Sequence, residues 1–216
     1  NYDIGHVFGT NSGGLAGLGV VCSSSNKARG VTGSGAPVGD PFDIDYVAHE
    51  MGHQFSGNHS FRGSAGSCSG NANNATAMEP GSGSSIMAYA GICSPQNVQS
   101  NSDDHFHGVN MNEMHVFLNA GGNGCAVSSP IPNQSSPTIT GTVGTVTIPA
   151  GTPFALTATA TDPDGDVLTY CWEQMNNQNS TQPPVGTATG GPNFRSRPPS
   201  TSGTRYFPSI ASLMTN

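Results

Sequence analysis

Residues 49–59 read HEMGHQFSGNH and place three histidines and one glutamate in one short stretch. His49 and His53 stand four residues apart, which on a helix puts both rings on one face, within reach of a single zinc ion at about 2.0–2.1 Å. Glu50 is turned roughly 60–100° away from them around the helix axis, so it is better placed to touch a water than to ligate. A third ligand, His59, has to come from beyond the helix end. The Ser56-Gly57 step offers that stop, because glycine readily takes the left-handed conformation that closes a helix. Three protein ligands leave a fourth position for water, the mark of a catalytic rather than a structural zinc site. A chance match to this pattern in a chain of this His and Glu content is on the order of one in ten thousand. That outweighs the plainer reading of four ordinary residues on an amphipathic helix.

The flanking pattern predicts the elements that position these side chains. Asp40, Pro41 and Asp43 form a helix-start signal, with Asp40 as the capping acceptor, and the helix is expected to run over 41–55. At about 100° per residue, Ile44, Val47, Ala48, Met51 and Phe55 share a stripe for the core, opposite His49 and His53. Upstream, residues 2–9 and 15–22 read as two strands paired like a hairpin, and 23–39 as a loop. Residues 60–85 carry no helical pattern and read as a long loop of the kind that is functional or tied down. A second helix is expected over 110–119, with Met111, Met114, His115 and Leu118 on one face beneath the site. His6, His105, His107 and His115 lie off the ligand spacing and are expected to be structural or exposed.

With these residues in view, the chain resembles the metzincin zinc endopeptidases, most closely the reprolysin-like bacterial secreted members whose zinc helix reads HEMGHQF. The resemblance implies an α+β metzincin-like catalytic domain over 1–126 that hydrolyses peptide or protein substrates, with His49, His53 and His59 on zinc and Glu50 as general base. It also implies a Met-turn at SIMAY, with Met87 as an apolar floor under the imidazoles rather than a ligand. Tyr89 matches an auxiliary tyrosine of some members, and a packed aromatic in the pocket wall is an equal reading. A strand over 15–21 becomes the edge along which an extended peptide would pair, against the alternative of an ordinary edge strand. By the same resemblance Cys22 bonds Cys125 and Cys68 bonds Cys93, leaving Cys171 odd, with its partner expected beyond residue 216. Two departures stand out. Ser56 occupies a position usually held by glycine, so the turn either shifts by one residue or holds a strained serine. Only about 40 residues precede the helix where the fold calls for more, so the chain is expected to begin inside the catalytic domain, with the missing N-terminal portion of the same precursor as a partner.

Residues 127–137 have linker composition. The stretch 138–216 reads as an immunoglobulin-like β-sandwich, an all-β region judged incomplete because about 80 residues fall short of the usual roughly 100. Its strands are expected at 145–148, 154–161 and 167–172, and strand signals fade after Glu173. Asp162, Asp164 and Asp166 could offer carboxylates to calcium, with a plain turn as the competing reading. Composition narrows the rest. Glycine at 30 and proline at 16 of 216 residues leave the chain below low-complexity levels, so it is a folded, loop-rich protein. A net charge of −7 would repel a phosphate backbone, which excludes nucleic acid as partner. No apolar run approaches the roughly 18 residues of a membrane span. The five cysteines have no zinc-ribbon spacing, so disulfides and an extracellular setting are expected. Two rival readings remain: an extracellular binding or adhesion module with a relic metal site, and an inactive fragment of an active parent.

Overall fold

A computed structural model describes residues 2–133, 135–185 and 187–214. Five positions of the expected first domain, linker and second region (1, 134, 186, 215 and 216) lie outside the described residues. The chain divides into two compact units, one formed by Asn1–Val127 with Glu173–Arg197, the other by Ser128–Trp172 with Pro198–Asn216. Residues 173–197, placed with the second region by sequence, therefore belong to the first unit.

Three short strands form the sheet of the first unit: β1 (Val7–Gly9), β2 (Gly13–Ala16) and β3 (Gly30–Gly33), in the order β1-β3-β2. The expected hairpin between the first two strands is replaced by pairing of both with β3, which comes from the segment read as a loop. β1 runs parallel to β3 with Val7 opposite Val31, and β2 runs antiparallel with Leu15 opposite Val31. The GVTG sequence of β3 buries Gly30, Thr32 and Gly33 while Val31 is exposed, so it carries no hydrophobic alternation to read.

Residues 17–22 are not a strand either, because their amides serve the helix end. Gly19, Val20 and Val21 donate to the carbonyls of His53 and Gln54 at 2.9–3.3 Å. Those are among the last-turn carbonyls that have no partner inside a helix. A positive φ of 61° at Gly19 lets the chain turn toward them.

The helix of the first unit is built in three pieces: α1 (Asp40–Phe42), a π-helical stretch Asp43–Ala48, and α2 (His49–Gln54). Its N-cap is Gly39, whose carbonyl accepts from Phe42 and Asp43, and Asp40 makes no capping bond. The π turn advances less than 100° per residue, so the two halves of the expected apolar stripe fall out of phase. Ile44, Val47, Ala48, Met51 and Phe55 are only half-buried, whereas His49, Glu50, Gly52 and Gln54 are buried. Gln54 locks the helix to the sheet: its Oε1 accepts from His6 Nδ1 at 2.7 Å, its Nε2 donates to the Gly5 carbonyl at 2.9 Å, and the Thr32 hydroxyl bonds His6 Nε2 at 2.8 Å.

The long loop after the helix stays irregular apart from a single 3-10 turn at Gly66–Cys68 and a bridge between Phe61 and Glu79. Phe61 and the Cys68–Cys93 disulfide form its buried centre, with Ala72 and Tyr89 packed on them. Glu79, a residue not singled out by sequence, organises the segment before Met87. It is fully buried; Oε2 accepts the amides of Ser84 and Ser85 at 2.8 and 3.2 Å, and Oε1 accepts the hydroxyls of Ser60 at 2.7 Å and of Ser85. Glu79→Ala would leave two buried amides without acceptors, so its urea unfolding free energy is expected to fall by 3 kcal/mol or more, on the order of two unmet buried donors. Glu79→Gln keeps one acceptor oxygen for those amides while the serine hydroxyls can turn to accept, so about 1–2 kcal/mol is expected.

Helix α3 (Gly108–Phe117), continued by a π turn at Leu118–Gly122, answers to the expected second helix. Its buried positions are Val109 and Asn110, while Met111 is exposed. The Cys22–Cys125 disulfide ties the end of this region to the segment after β2. The returning stretch caps α3: Glu173 Oε2 accepts the Gly108 amide at 2.5 Å, and Glu173 Oε1 accepts from Ser196 Oγ, which also bonds His105 Nε2 at 2.8 Å. His107 caps the same helix through Nδ1, which accepts from Val109 N at 3.2 Å.

The second unit contains β4 (Thr138–Gly141) antiparallel to β6 (Thr159–Thr161), β5 (Phe154–Thr157) antiparallel to β7 (Thr204–Phe207), and a short helix α4 (Ile210–Met214). The expected strand at 145–148 is absent, and of 167–172 only Tyr170 forms a bridge, to Ser200. The single strand expected over 154–161 is broken at Ala158, whose amide bonds the Gly203 carbonyl instead. The stretch 162–166 is a turn in which Asp162 Oδ1 accepts the amides of Asp164 and Asp166 at 2.8 and 3.3 Å. Asp164 and Asp166 accept from Ser135 N and Asn133 Nδ2. No helix among the described residues is long and apolar enough to cross a membrane.

Candidate metal centre

His49 and His53 project from α2, and His59 is brought back to them by the turn that ends it. Ser56 takes the left-handed conformation with φ of 78°, so the strained serine, not a shifted glycine, makes the turn. Its amide bonds the His53 carbonyl and the Gly57 amide bonds the Gly52 carbonyl, both at 2.8 Å, the two bonds of a Schellman ending. Helix α3 then holds the next residue. Asn58 donates through N and Nδ2 to the two Glu113 oxygens at 3.0 and 2.6 Å, and Asn110 Nδ2 donates to the Asn58 carbonyl at 2.7 Å. Glu113 and Asn110 therefore position His59, a role legible only once α3 is seen to lie against the turn.

The three rings converge through their Nε2 atoms. His59 Nε2 is 3.3 Å from His49 Nε2 and 3.2 Å from His53 Nε2. Nitrogens about 2.0–2.1 Å from one tetrahedral ion stand about 3.3–3.4 Å apart, so the donor set fits zinc. The other face of each ring is committed to the backbone: Nδ1 of His49 bonds the Ile86 carbonyl at 2.8 Å, Nδ1 of His53 the Gly57 carbonyl at 2.7 Å, and Nδ1 of His59 the Asn71 carbonyl at 2.7 Å. A carbonyl accepts only from N–H, so each ring keeps its proton on Nδ1 and presents an Nε2 lone pair. Burial favours the neutral rings. It lowers the His49 pKa to about 3, with further depression from the neighbouring His53 and His59, lowers that of His59 to about 4, and lowers that of His53.

Glu50 is 8% exposed, and burial pushes its carboxyl up to about 7. Its Oε2 has no hydrogen-bond partner. The side chain lies against β2, where a Cβ added at Gly14 would stand 2.6 Å from Glu50 Cγ and Cδ and closer still to Oε1. Met87 is fully buried beneath α2 with its sulfur against Gly52, so that a Cβ at Gly52 would collide with Sδ. Tyr89 packs with its ring centroid 4.6 Å from that of His59 and 5.6 Å from that of His49. Desolvation, and then the nearby Glu50, raise its pKa.

Beside Glu50 opens a cleft of about 680 Å³ bounded by Gly13 and Gly14 of β2, the π-helical Asp45 and Tyr46, and the 88–92 segment after Met87. Thus the structure brings together His49, His53, His59, Glu50, Met87 and Tyr89. It forms both disulfides implied by the resemblance, Cys22–Cys125 and Cys68–Cys93, with Cys171 outside them. Asp162, Asp164 and Asp166 lie in the other unit. Sequence missed Gly14 and Asp45, whose part in the site comes from tertiary approach rather than from spacing.

No curated protein and no solved structure matches the chain in comparison. Residues 1–115, more than half of the 216, match the model of the reprolysin-like metallo-peptidase family M12B. A three-histidine set able to hold the metal that this family uses stands within the matched region, and the chain belongs to the reprolysin-like M12B metallopeptidases.

Proposed function

We propose that the protein is a secreted zinc endopeptidase in which His49, His53 and His59 hold the metal and Glu50 is the general base. The observation that carries this reading is a buried carboxyl whose Oε2 has no hydrogen-bond partner, set one residue from a ligand and opening on a cleft large enough for a substrate side chain. Zinc on such a site supplies Lewis-acid activation of water and polarisation of a carbonyl. Glu50 takes the proton from the attacking water and delivers it to the leaving amine, a role favoured by the low-dielectric pocket that holds it. Met87 supports the ligand helix from below, and Tyr89 forms the wall next to the reacting groups. The open side of β2, an edge of the sheet, offers main-chain groups to an extended peptide, and Gly13 and Gly14 let its backbone approach.

Two disulfides are the expected fittings of an extracellular protein. The catalytic unit in this reading comprises 1–126 together with 173–197, and the antiparallel pairs of the remainder serve as a partial immunoglobulin-like accessory module.

The test is metal analysis followed by cleavage of a mixed peptide library. One zinc per chain is expected, with hydrolysis removed by a chelator and restored by zinc. Zinc without hydrolysis would favour an inactive fragment, and a chain that binds no zinc would favour a binding module.

A further inference from the structure

The cleft beside Glu50 carries a charge pattern of its own. Among the described residues no lysine or arginine lines it, while a second carboxyl, Asp45, does. Asp45 sits four residues before His49, in the π-helical stretch that leads into α2. Opposite it runs the 100–102 segment: the Ser102 amide donates to Oδ1 at 2.6 Å, and the Asn101 amide, oriented with its nitrogen toward Asp45, donates to Oδ2 at 3.0 Å. The Ser102 side chain bonds the same carboxylate, and since a carboxylate has about four lone-pair sites, roughly one acceptor site is left for a ligand. The remaining lining is neutral, with the aromatic rings of Tyr46 and Tyr89 suited to flank an aliphatic stem.

We propose that Asp45 makes this cleft a subsite for a cationic side chain, so that the enzyme selects lysine or arginine at one position beside the scissile bond. The assignment rests on the peptidase reading above and names the substrate class of that site. Desolvation holds the Asp45 carboxyl above the ordinary aspartate range despite the backbone and side-chain bonds from Ser102, so a cation entering the cleft would compensate the carboxylate further. The overall charge of −7 also favours the approach of basic peptides.

The test uses the zinc-loaded protein and matched peptides that differ only at the residues flanking the cut. Cleavage is expected to favour lysine or arginine over leucine by about tenfold or more in kcat/KM, and to disfavour glutamate further. Asp45→Asn retains an oxygen for the Ser102 amide, and it is expected to lower the lysine-to-leucine ratio about tenfold, while Asp45→Glu keeps the preference for a cation. Equal ratios in Asp45→Asn and the parent, or a parent preference for leucine, phenylalanine or glutamate, would overturn the assignment. Calorimetric binding of the same peptides to zinc-loaded Glu50→Gln separates the two claims. Tighter binding of lysine peptides without cleavage by the parent would sink the hydrolytic reading and keep the subsite. Cleavage by the parent without a basic preference would do the reverse.

Discussion

Glu50→Gln is expected to lower kcat/KM for peptide hydrolysis by about 10²–10⁴-fold, the usual contribution of a positioned general base, with zinc content unchanged. The substitution is close in size and leaves His49, His53 and His59 with their backbone partners at the Ile86, Gly57 and Asn71 carbonyls. What it removes is the carboxylate proposed to accept the proton. Because Oε2 has no partner in the protein, the carboxyl contributes no hydrogen bond to stability through that oxygen, and exchanging it should not lower the unfolding midpoint. Stopped peptide-cleavage assays on protein matched for zinc content provide the measurement. Hydrolysis within threefold of the parent rate would remove Glu50 from the mechanism.

Gly14→Ala is expected to lower kcat about 10²-fold while the fold and the metal persist, since displacing a reacting group by about 1 Å costs on that order. Gly14 has no left-handed backbone requirement, so alanine fits its conformation, but the new Cβ would overlap Glu50 and must move it. Gly13, its neighbour, provides the contrast. A Cβ there meets nothing within 4 Å, yet its φ of 112° is one that alanine adopts poorly. Gly13→Ala should therefore lose stability by about 1 kcal/mol, and Gly14→Ala should lose catalysis. Parallel thermal melts and kcat measurements on the two variants distinguish these outcomes; a Gly14→Ala enzyme with the parent kcat would show that the base tolerates displacement.

The histidine helix and its stop were legible because they depend on neighbours in sequence: His53 follows His49 by four positions, and Ser56-Gly57 follows within about one turn. Which residue of that pair takes the left-handed conformation was not legible, since the outcome follows from the Gly57 to Gly52 bond and from Glu113 and Asn110 gripping Asn58 from α3. The sheet was misread for a related reason. Its central strand, Gly30–Gly33, is short and without alternation, and both of its partners come from segments whose own apolar residues, Val7, Phe8 and Leu15, are exposed. Helical periodicity failed over 43–48 because a π turn changes the angle per residue, and no residue type there announces it. Buried polar anchors such as Glu79 and Gln54 look like surface residues in sequence, and only their partners reveal them.

The return of residues 173–197 to the first unit means that the polypeptide crosses between the units three times, near 127, 172 and 197. A single proteolytic nick in the 127–137 stretch would therefore sever the backbone without releasing either unit, because the downstream piece still contributes Glu173, Arg195 and Ser196 to the folded body upstream. On a denaturing gel such a nicked molecule runs as two fragments, because Cys22–Cys125 and Cys68–Cys93 both lie upstream of the nick, yet it elutes as one particle in native buffer. This threading confers a tolerance to backbone cleavage that two beads on a string would lack.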